Sequence, residues 1–439
     1  MRKIFDLKIA DITRSTSWAP LIPLLWFVIS NSKGAMFWKG SIDSSVINQV
    51  HFEGSAFDRI TLSSLIVISF MIFYQRRERV LALLKKNLWL LGLLGYMLLS
   101  ILWTEYPFIA FKRWTRTFGT IVMIFLLITE QNPLQAGVGV LKQACFFILP
   151  FSMILIFLFP NIGTALSPDD GITYWIGITP HKNILGQWAA LGSLLFLWLL
   201  LEKNKRSWNQ LIYLSMLAIS WILLVGSRSI TSLNLTLEGM ILFILLSFAR
   251  GIGKYGFITT STIIISIGSF GALIEQLFLR KPLLNAILNL EKRDSTFTGR
   301  TFLWEHALSI GSQKMWFGHG YATFWISKWG DQARSVLGWD MYSAHNGFLD
   351  VYLQLGLVGI LLTIVYIVFA ARGVMSVYKY DFRYGVLWVT LLLVTLLSNL
   401  SESNFGIMAD EFWFLSVLVS ANIPNQFLAE RRKYAVNKT

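Results

Sequence analysis

Apolar runs of 15 to 24 residues recur along nearly the whole chain, and they restrict the possible folds more than any other feature. A bilayer core about 30 Å thick is crossed by roughly 20 apolar residues in a helix. Charged residues make up only 14% of the chain, whereas soluble domains carry about 25%. The sequence therefore predicts a membrane protein and excludes a soluble globular enzyme, a disordered chain and a collagen-like fibre.

We predict an all-α, polytopic helical bundle of about twelve transmembrane helices in a single domain, residues 1–439. The predicted spans are 17–36, 60–74, 87–103, 113–129, 138–159, 183–201, 207–225, 230–248, 257–277, 348–371, 385–400 and 405–423. Pro20 and Pro23 interrupt the first run, which lacks a convincing small-residue cleavage site before Ser41. We expect it to be a retained helix rather than a removed signal peptide.

The basic residues behind the net charge of +14 are concentrated in the segments on one side of the predicted membrane. With the N-terminus inside, the inner segments hold 22 of the 38 lysines and arginines and only seven acidic residues. Lys and Arg concentrate in cytoplasmic loops, so both termini are predicted to be cytoplasmic. The basic residues are not interleaved with aromatic ones as at a nucleic-acid surface, so no nucleic-acid partner is expected. The lone Cys145 excludes a disulfide, and the scattered histidines suggest no metal centre.

This topology places the candidate functional groups on one face. All five histidines fall on the external side, together with Arg113, Arg116, Lys182, Arg228 and Arg300. The same side carries the only long connection, residues 278–347, which is rich in aromatic residues. Helical periodicity from Thr301 to Ser312 predicts that this loop forms a cap of short amphipathic helices.

Short motifs along the chain resemble those of the O-antigen ligase and polymerase superfamily, and the exopolysaccharide-production branch is the most similar. The resemblance covers about residues 96 to 420. Its motifs are Leu99-Ser100-Ile101-Leu102-Trp103 with Pro107, His181-Lys182-Asn183 with Gly186, Gly226-Ser227-Arg228-Ser229, Thr298-Gly299-Arg300-Thr301 with Trp304, Gly318-His319-Gly320-Tyr321 with Phe324, and Ala344-His345-Asn346-Gly347-Phe348-Leu349-Asp350 with Gln354-Leu355-Gly356.

The resemblance implies a multi-pass glycosyltransferase of the bacterial cytoplasmic membrane. Such an enzyme moves a glycan from an undecaprenyl-diphosphate carrier to an acceptor hydroxyl, on a glycan or glycolipid, at the outer face. Neither a cofactor nor a metal is expected. The sugars, the linkage and the choice between ligase and polymerase are left open.

A diphosphate leaving group requires cations, and the planar guanidinium of arginine binds phosphate oxygens bidentately. The resemblance assigns this contact to Arg228 and Arg300. Alternatively, Arg228 is a snorkelling residue at a helix end, and Arg300 caps a helix or pairs with Glu305. Arg113 and Arg116 lie on one helix face and are possible donor-binding residues. The alternative for this pair is a contact with Glu105 or with lipid headgroups.

An acceptor hydroxyl attacks well only if a base removes its proton, and histidine suits that task. The resemblance makes His345, just before span ten, the catalytic base. Asp350 is a candidate to orient it, provided that the helix begins after His345. His181 and Lys182 form a second cluster that binds phosphate or sugar, or is merely structural. Three acidic residues near span twelve, Glu402, Asp410 and Glu411, could bind sugar hydroxyls or coordinate an ion, but pairing with nearby arginines is the simpler expectation.

The alternative function is a secondary transporter of a small anion or a sugar-related solute, for which twelve spans are equally normal. A transporter places ionisable groups near the middle of the bilayer. The predicted spans carry almost no charge apart from Glu238, and the candidate groups gather on one face. This distribution favours chemistry at the membrane surface.

Overall fold

The computed structural model describes residues 17–33, 56–166, 171–201, 207–248, 298–337, 342–400 and 402–403, excepting the side chains of residues 56, 248, 298–302, 336 and 337. The described chain is almost entirely helical. Its helices are α1 (Leu21–Asn31), α2 (Ala56–Gln75), α3 (Arg77–Lys86), α4 (Leu88–Leu99), α5 (Pro107–Ile128), α6 (Pro133–Leu158), α7 (Pro160–Gly163), α8 (Lys182–Leu200), α9 (Ser207–Gly226), α10 (Ile230–Phe248), α11 (Thr298–Ser312), α12 (Lys328–Leu337), α13 (Gly347–Tyr380) and α14 (Phe382–Ser398). Two 3₁₀ turns cover Ser100–Trp103 and Phe324–Ile326.

The prediction of an all-α, polytopic membrane protein is confirmed. Ten of the twelve predicted spans coincide with helices, while 257–277 and 405–423 lie outside the described residues. Among the described helices, six are long and apolar enough to cross a membrane, or seven if the bent pair α3 and α4 counts as one span. The count of twelve stays a prediction.

Local capping moves several helix ends away from the boundaries that hydropathy suggests. The first helix covers only 11 residues, because Pro20 occupies its N-cap and Ser32 is extended. The fifth begins at Pro107, six residues before the predicted span, since proline suits the first helical position. The thirteenth continues to Tyr380, nine residues beyond the predicted end of span ten.

A small antiparallel hairpin interrupts the helical fold, and the sequence did not predict it. β1 (Thr164–Leu166) pairs with β2 (Thr173–Trp175), with Thr164 opposite Trp175. The second strand packs against α8 and α9. It thereby lies next to the start of α8 and the end of α9.

The eighth helix is at the centre of the bundle. It packs against α6, α9, α10 and α14. Leu185 and Trp188 on it are fully buried, and it buries a larger share of its length than any other candidate span in the described chain. A helix that is apolar and buried on all sides is typical of a bundle interior. Residues at either end of α8 are therefore fixed by the core.

The cap predicted from the sequence consists of α11, α12 and the turns between them, and it joins the bundle at a break in α13. Gly356 interrupts α13 with φ of 66° and ψ of −164°. The freed backbone groups bond to residues 315–320 instead: Leu357 N donates to Met315 O (2.8 Å), and His319 N donates to Leu353 O (2.9 Å). Within a membrane protein an interrupted helix is tolerated where the protein supplies such partners.

Candidate active site

Four helix ends meet at one end of the bundle, which we call the site end: the starts of α8, α10 and α13, and the end of α14. Gly347 N, at the start of α13, donates to Asn399 O after α14 (2.8 Å). Asn183, in the first turn of α8, donates from Nδ2 to Glu402 Oε1 at 3.2 Å. Gly186, one turn further along α8, packs against Ser229 and Ser232 of α10.

Helix N-termini favour anions, because their first amide groups have no intrahelical partner and the helix dipole is positive there. Three of the four ends that meet here are N-termini. The site end is therefore suited to a negatively charged group.

His345 lies in a turn directly before α13 and adopts a left-handed backbone conformation, with φ of 48°. This conformation costs a non-glycine residue on the order of 1 kcal/mol. Asn346 follows as the N-cap of α13, accepting from the amides of Phe348 and Leu349. Asn346 N also donates to Ser403 Oγ (3.2 Å), which ties the turn to the segment after α14.

The imidazole of His345 faces a carboxylate. Its Nδ1 lies 3.5 Å from Glu402 Oε2, and the other oxygen of Glu402 accepts the amide of Asn183. The Glu402 side chain is only 12% exposed, whereas that of His345 is 39% exposed. No hydrogen bond joins Nδ1 to a described residue, but the negative charge of the nearby carboxylate favours the tautomer with the proton on Nδ1, which leaves the lone pair of Nε2 available.

Sequence reasoning assigned Glu402 differently. We expected it to pair with an arginine, but within the described residues it contacts His345 and Asn183 and no arginine. The two acidic residues further along, Asp410 and Glu411, lie outside the described residues.

The side chain of Asp350 supports the same turn by binding the backbone of Ala344. The helix does begin after His345, as the orienting role requires. However, the buried carboxylate accepts from Trp325 Nε1 (2.6 Å) and from the amide of Ala344 (3.2 Å). Trp304 of α11 donates to Ala344 O at 2.8 Å. Asp350 thus holds the residue before His345, and the carboxylate beside the ring belongs to Glu402.

Arg228 occupies the junction between α9 and α10, also with a positive φ, of 53°. It is exposed, and its guanidinium has no hydrogen-bond partner among the described residues. It borders a largely apolar cavity of about 590 Å³ whose wall includes Trp175, Trp221, Ile222 and Val225. A cation at the mouth of an apolar cavity suits an amphiphile with an anionic head.

Arg228 and His345 lie on two sides of the start of α8. Arg228 directly precedes Ser229, which packs against Gly186, and Asn183 of the same helix reaches the carboxylate at His345. The structure therefore places these two residues at the same end of the bundle.

Arg300 belongs to the first turn of α11, and its side chain is not among those described. Arg300 is connected to the site through its own helix, α11. Trp304, one turn later, reaches the turn that carries His345.

Arg113 and Arg116 hold neighbouring segments of the protein. Arg113 donates from Nη1 to the carbonyl of Ala322 in the cap, and Arg116 donates from Nη2 to Ser30 O at 2.7 Å. The acid suggested as their partner, Glu105, instead pairs with Lys328 at 3.0 Å. These contacts fasten the cap and the end of α1 to α5.

His181 and Lys182 begin α8. His181 is its N-cap, and its Nδ1 accepts from Asn183 N at 3.2 Å. Lys182 Nζ lies 4.6 Å from the centre of the Tyr174 ring. Both residues therefore make structural contacts beside the site. The link from α8 to His345 is made by the next residue, Asn183, through Glu402.

A buried histidine, His319, lies in the cap. The ring of His319 is 4.6 Å from that of Trp329 and 5.3 Å from that of Phe324. Burial, with a smaller contribution from Lys314, lowers its pKa to about 4. His319 is neutral at pH 7 and packs as part of the cap. Within the described residues no cluster of three His, Cys, Asp or Glu side chains forms a metal site.

Two comparisons with known proteins show what the chain is similar to. The O-antigen ligase family model matches residues 185–364, which run from α8 to the middle of α13 and include Arg228, Arg300, His345 and Asp350. The chain is also 23% identical over 324 residues to the exopolysaccharide production protein ExoQ of Rhizobium meliloti (strain 1021), an alignment that covers 67% of each chain. Both matches support the O-antigen ligase/polymerase family that the sequence motifs resemble.

The two matches, together with the apolar helices, support a multi-pass membrane enzyme that processes glycans. Glu402 lies beyond the matched range, as do Arg113, Arg116, His181 and Lys182. The contact between Glu402 and His345 is thus a feature that the geometry reveals and the family match does not cover.

Proposed function

We propose that the protein transfers a glycan from an undecaprenyl-diphosphate-linked donor to a sugar hydroxyl of a glycan or glycolipid acceptor, at the outer face of the cytoplasmic membrane. Both termini then lie in the cytoplasm. The observation that carries the proposal is the meeting of His345 and Arg228 around the start of α8. The family assignment favours this reaction over solute transport.

His345 acts as the general base. With the proton of the neutral imidazole on Nδ1, facing Glu402, the lone pair of Nε2 accepts the proton of the acceptor hydroxyl. The resulting imidazolium is stabilised by the carboxylate, which is itself held by Asn183. This arrangement has the logic of a base that is oriented by a third group.

Arg228 and Arg300 bind the diphosphate. Charge develops on the diphosphate as its bond to the sugar breaks, and a cation fixed at that position stabilises the transition state. Arg228 presents a guanidinium that no described residue pairs with, next to the apolar cavity at Trp175 and Trp221, which suits the first isoprene units of the carrier. Arg113, Arg116, His181 and Lys182 hold the surrounding elements in place.

The reaction is a direct displacement. The acceptor oxygen forms a bond to the anomeric carbon while the bond from that carbon to the diphosphate oxygen breaks, and the hydroxyl proton passes to His345. Undecaprenyl diphosphate leaves, and the configuration at the anomeric carbon is inverted. The step needs neither a nucleotide sugar nor a metal ion, because the carrier is already a good leaving group and the arginines supply positive charge.

The test is incubation of the purified protein with a defined undecaprenyl-diphosphate oligosaccharide and an acceptor, followed by mass analysis of the products. H345A, R228A and R300A should each reduce transfer at least about a hundredfold, since a general base alone contributes typically 10²–10⁴-fold. The control is R59A, which removes an exposed arginine from α2. Full activity in H345A or R228A at normal expression removes that residue from the mechanism.

The placement of the site is tested separately by cysteine labelling. The single native cysteine, Cys145, is buried, so cysteines introduced at positions 228 and 345 report with little background. Both should react with an impermeant reagent added from the periplasmic side. Labelling of the two positions from opposite sides overturns the proposal.

A further inference from the structure

A polar cavity, distinct from the apolar one at Arg228, lies where α2, α3 and α5 come together. Its volume is about 460 Å³, and its wall contains Arg76, Arg77 and Arg79 together with Glu78 and Glu130. We call it the basic cavity. The proposed transfer reaction uses none of these residues.

Two contacts between the chain around α1 and the chain around α5 lie at different heights along α5, and the first lies near Arg113, which reaches the cap that packs against the site end. Arg116 bonds to Ser30 O, whereas Ser17 Oγ donates to Glu130 Oε1 at 3.1 Å. Residues 116 and 130 are 14 positions apart, which is about 20 Å along a helix. The basic cavity therefore lies at the opposite end of the bundle, and the charge bias of the sequence predicts that this end is cytoplasmic.

Two of the three arginines of the basic cavity, Arg76 and Arg79, are held in place before any ligand binds. Arg76 pairs with Glu130 at 2.7 Å and donates to Ser17 Oγ at 2.9 Å. Arg79 donates from Nη1 to Thr129 O at 2.9 Å. Arg77 is exposed and has no partner among the described residues. The wall of the cavity holds three arginines and two glutamates, so its described residues carry one excess positive charge.

The neighbouring helices point to a lipid rather than a small anion. The third helix meets α4 at 81°, so it runs close to the plane of the bilayer if α4 crosses it. Just inside the basic cavity, α2 carries an exposed apolar stripe of Val67, Met71 and Tyr74, spaced for one helix face. A molecule with its phosphate at Arg77 and Arg79 has room for acyl chains along this stripe.

We propose that the basic cavity binds the headgroup phosphate of an anionic phospholipid. Guanidinium groups bind phosphate oxygens bidentately, and juxtamembrane basic residues are attracted to anionic leaflets. Binding at this position fastens α3 to the membrane surface. The proposal does not depend on the transfer reaction, because it concerns the other end of the bundle.

The experiment uses the full-length protein in detergent, with bound lipid counted by native mass spectrometry. Dioleoyl phosphatidylglycerol is compared with dioleoyl phosphatidylcholine, and millimolar inorganic phosphate is added as a competitor. The test variant is R77Q/R79Q. The matched control is K85Q/K86Q, which removes the same charge from α3 outside the cavity wall.

We expect the wild type to prefer phosphatidylglycerol and R77Q/R79Q to bind it at least about tenfold more weakly, on the scale of the attraction of basic residues to anionic lipid. K85Q/K86Q should change binding less than about threefold, since it leaves the cavity intact. Inorganic phosphate should not displace the lipid. Equal losses in the two double variants, equal binding of both lipids, or displacement by phosphate each overturns the proposal.

R77Q alone keeps the contact between Arg79 and Thr129, so it covers the case in which the double variant does not fold. It should weaken phosphatidylglycerol binding by about threefold or more. Wild-type binding in R77Q overturns the proposal as well.

Discussion

Replacement of Glu402 by glutamine removes the negative charge beside His345 and keeps the size of the side chain. The carboxylate has two roles in the proposed reaction: it fixes the tautomer of His345 and stabilises the imidazolium that forms when the acceptor loses its proton. Glu402 touches His345 and Asn183 but neither the donor nor the acceptor as proposed, so it is a positioning residue. We expect E402Q to lower kcat and to leave KM for the donor nearly unchanged.

The separation of 3.5 Å sets the scale of the effect. Two unit charges at this distance interact by about 1 kcal/mol in water and by about 5 kcal/mol at an effective dielectric constant of 20. The ring is 39% exposed and the carboxylate 12% exposed, so the appropriate value lies between these limits. A loss of about 2 kcal/mol corresponds to a decrease in kcat of about 30-fold.

The assay is transfer from a defined lipid-linked oligosaccharide, measured for E402Q, H345A and the double variant. Because Glu402 acts through His345, the double variant should be no slower than H345A. E402D, which keeps the charge, should recover most of the activity. The control is E105Q. The carboxylate of Glu105 pairs with the exposed Lys328, and its loss should change kcat by less than about twofold. Additive losses in the double variant refute the coupling.

Two further predictions concern the cap. G356A should lower the free energy of unfolding in detergent by more than about 2 kcal/mol, because φ is 66° and a Cβ there lies 2.3 Å from Trp316 O. A Cβ added at Gly92 has no contact within 4 Å, so G92A should leave the free energy of unfolding unchanged or raise it. Equal effects in the two variants contradict the strain argument. Burial lowers the pKa of His319 to about 4, so the unfolded state binds more protons below pH 6.5. Stability should therefore fall by about 2 kcal/mol from pH 7 to pH 5, and H319F should reduce this slope.

The sequence predicted most of the helices because a membrane enforces a simple pattern. A segment that crosses lipid must satisfy its backbone internally and stay apolar for about 20 residues. Helix ends follow different rules. The short α1 depends on Pro20, and the additional turns of α13 end at Asp381, which caps the next helix. The break at Gly356 depends on a loop about 40 positions earlier in the chain, so no local pattern reveals it.

The sequence assigns the candidate site residues to one side of the membrane but does not reveal their contacts. The charge bias of the loops assigns residues to sides, and the structure places Arg228 and His345 at one end of the bundle, as that assignment requires. The bias contains no information about which side chains touch. Glu402 is 57 positions from His345 and meets it only because α13 and α14 pack against each other. Asp350, closer in sequence, bonds to the backbone instead.

The strained backbone of His345 indicates how a membrane bundle builds a polar site on apolar helices. A residue with a positive φ persists only where its surroundings determine its conformation. Here three separate elements do so: α11 through Trp304, the turn Phe324–Ile326 through the bond of Trp325 to Asp350, and the chain after α14 through Asn399 and Ser403. Loss of any one of them leaves the imidazole near Glu402 but less tightly held. Since a misplacement of about 1 Å can cost a hundredfold in rate, we expect the cap to contribute to the proposed reaction through rigidity as well as through Arg300.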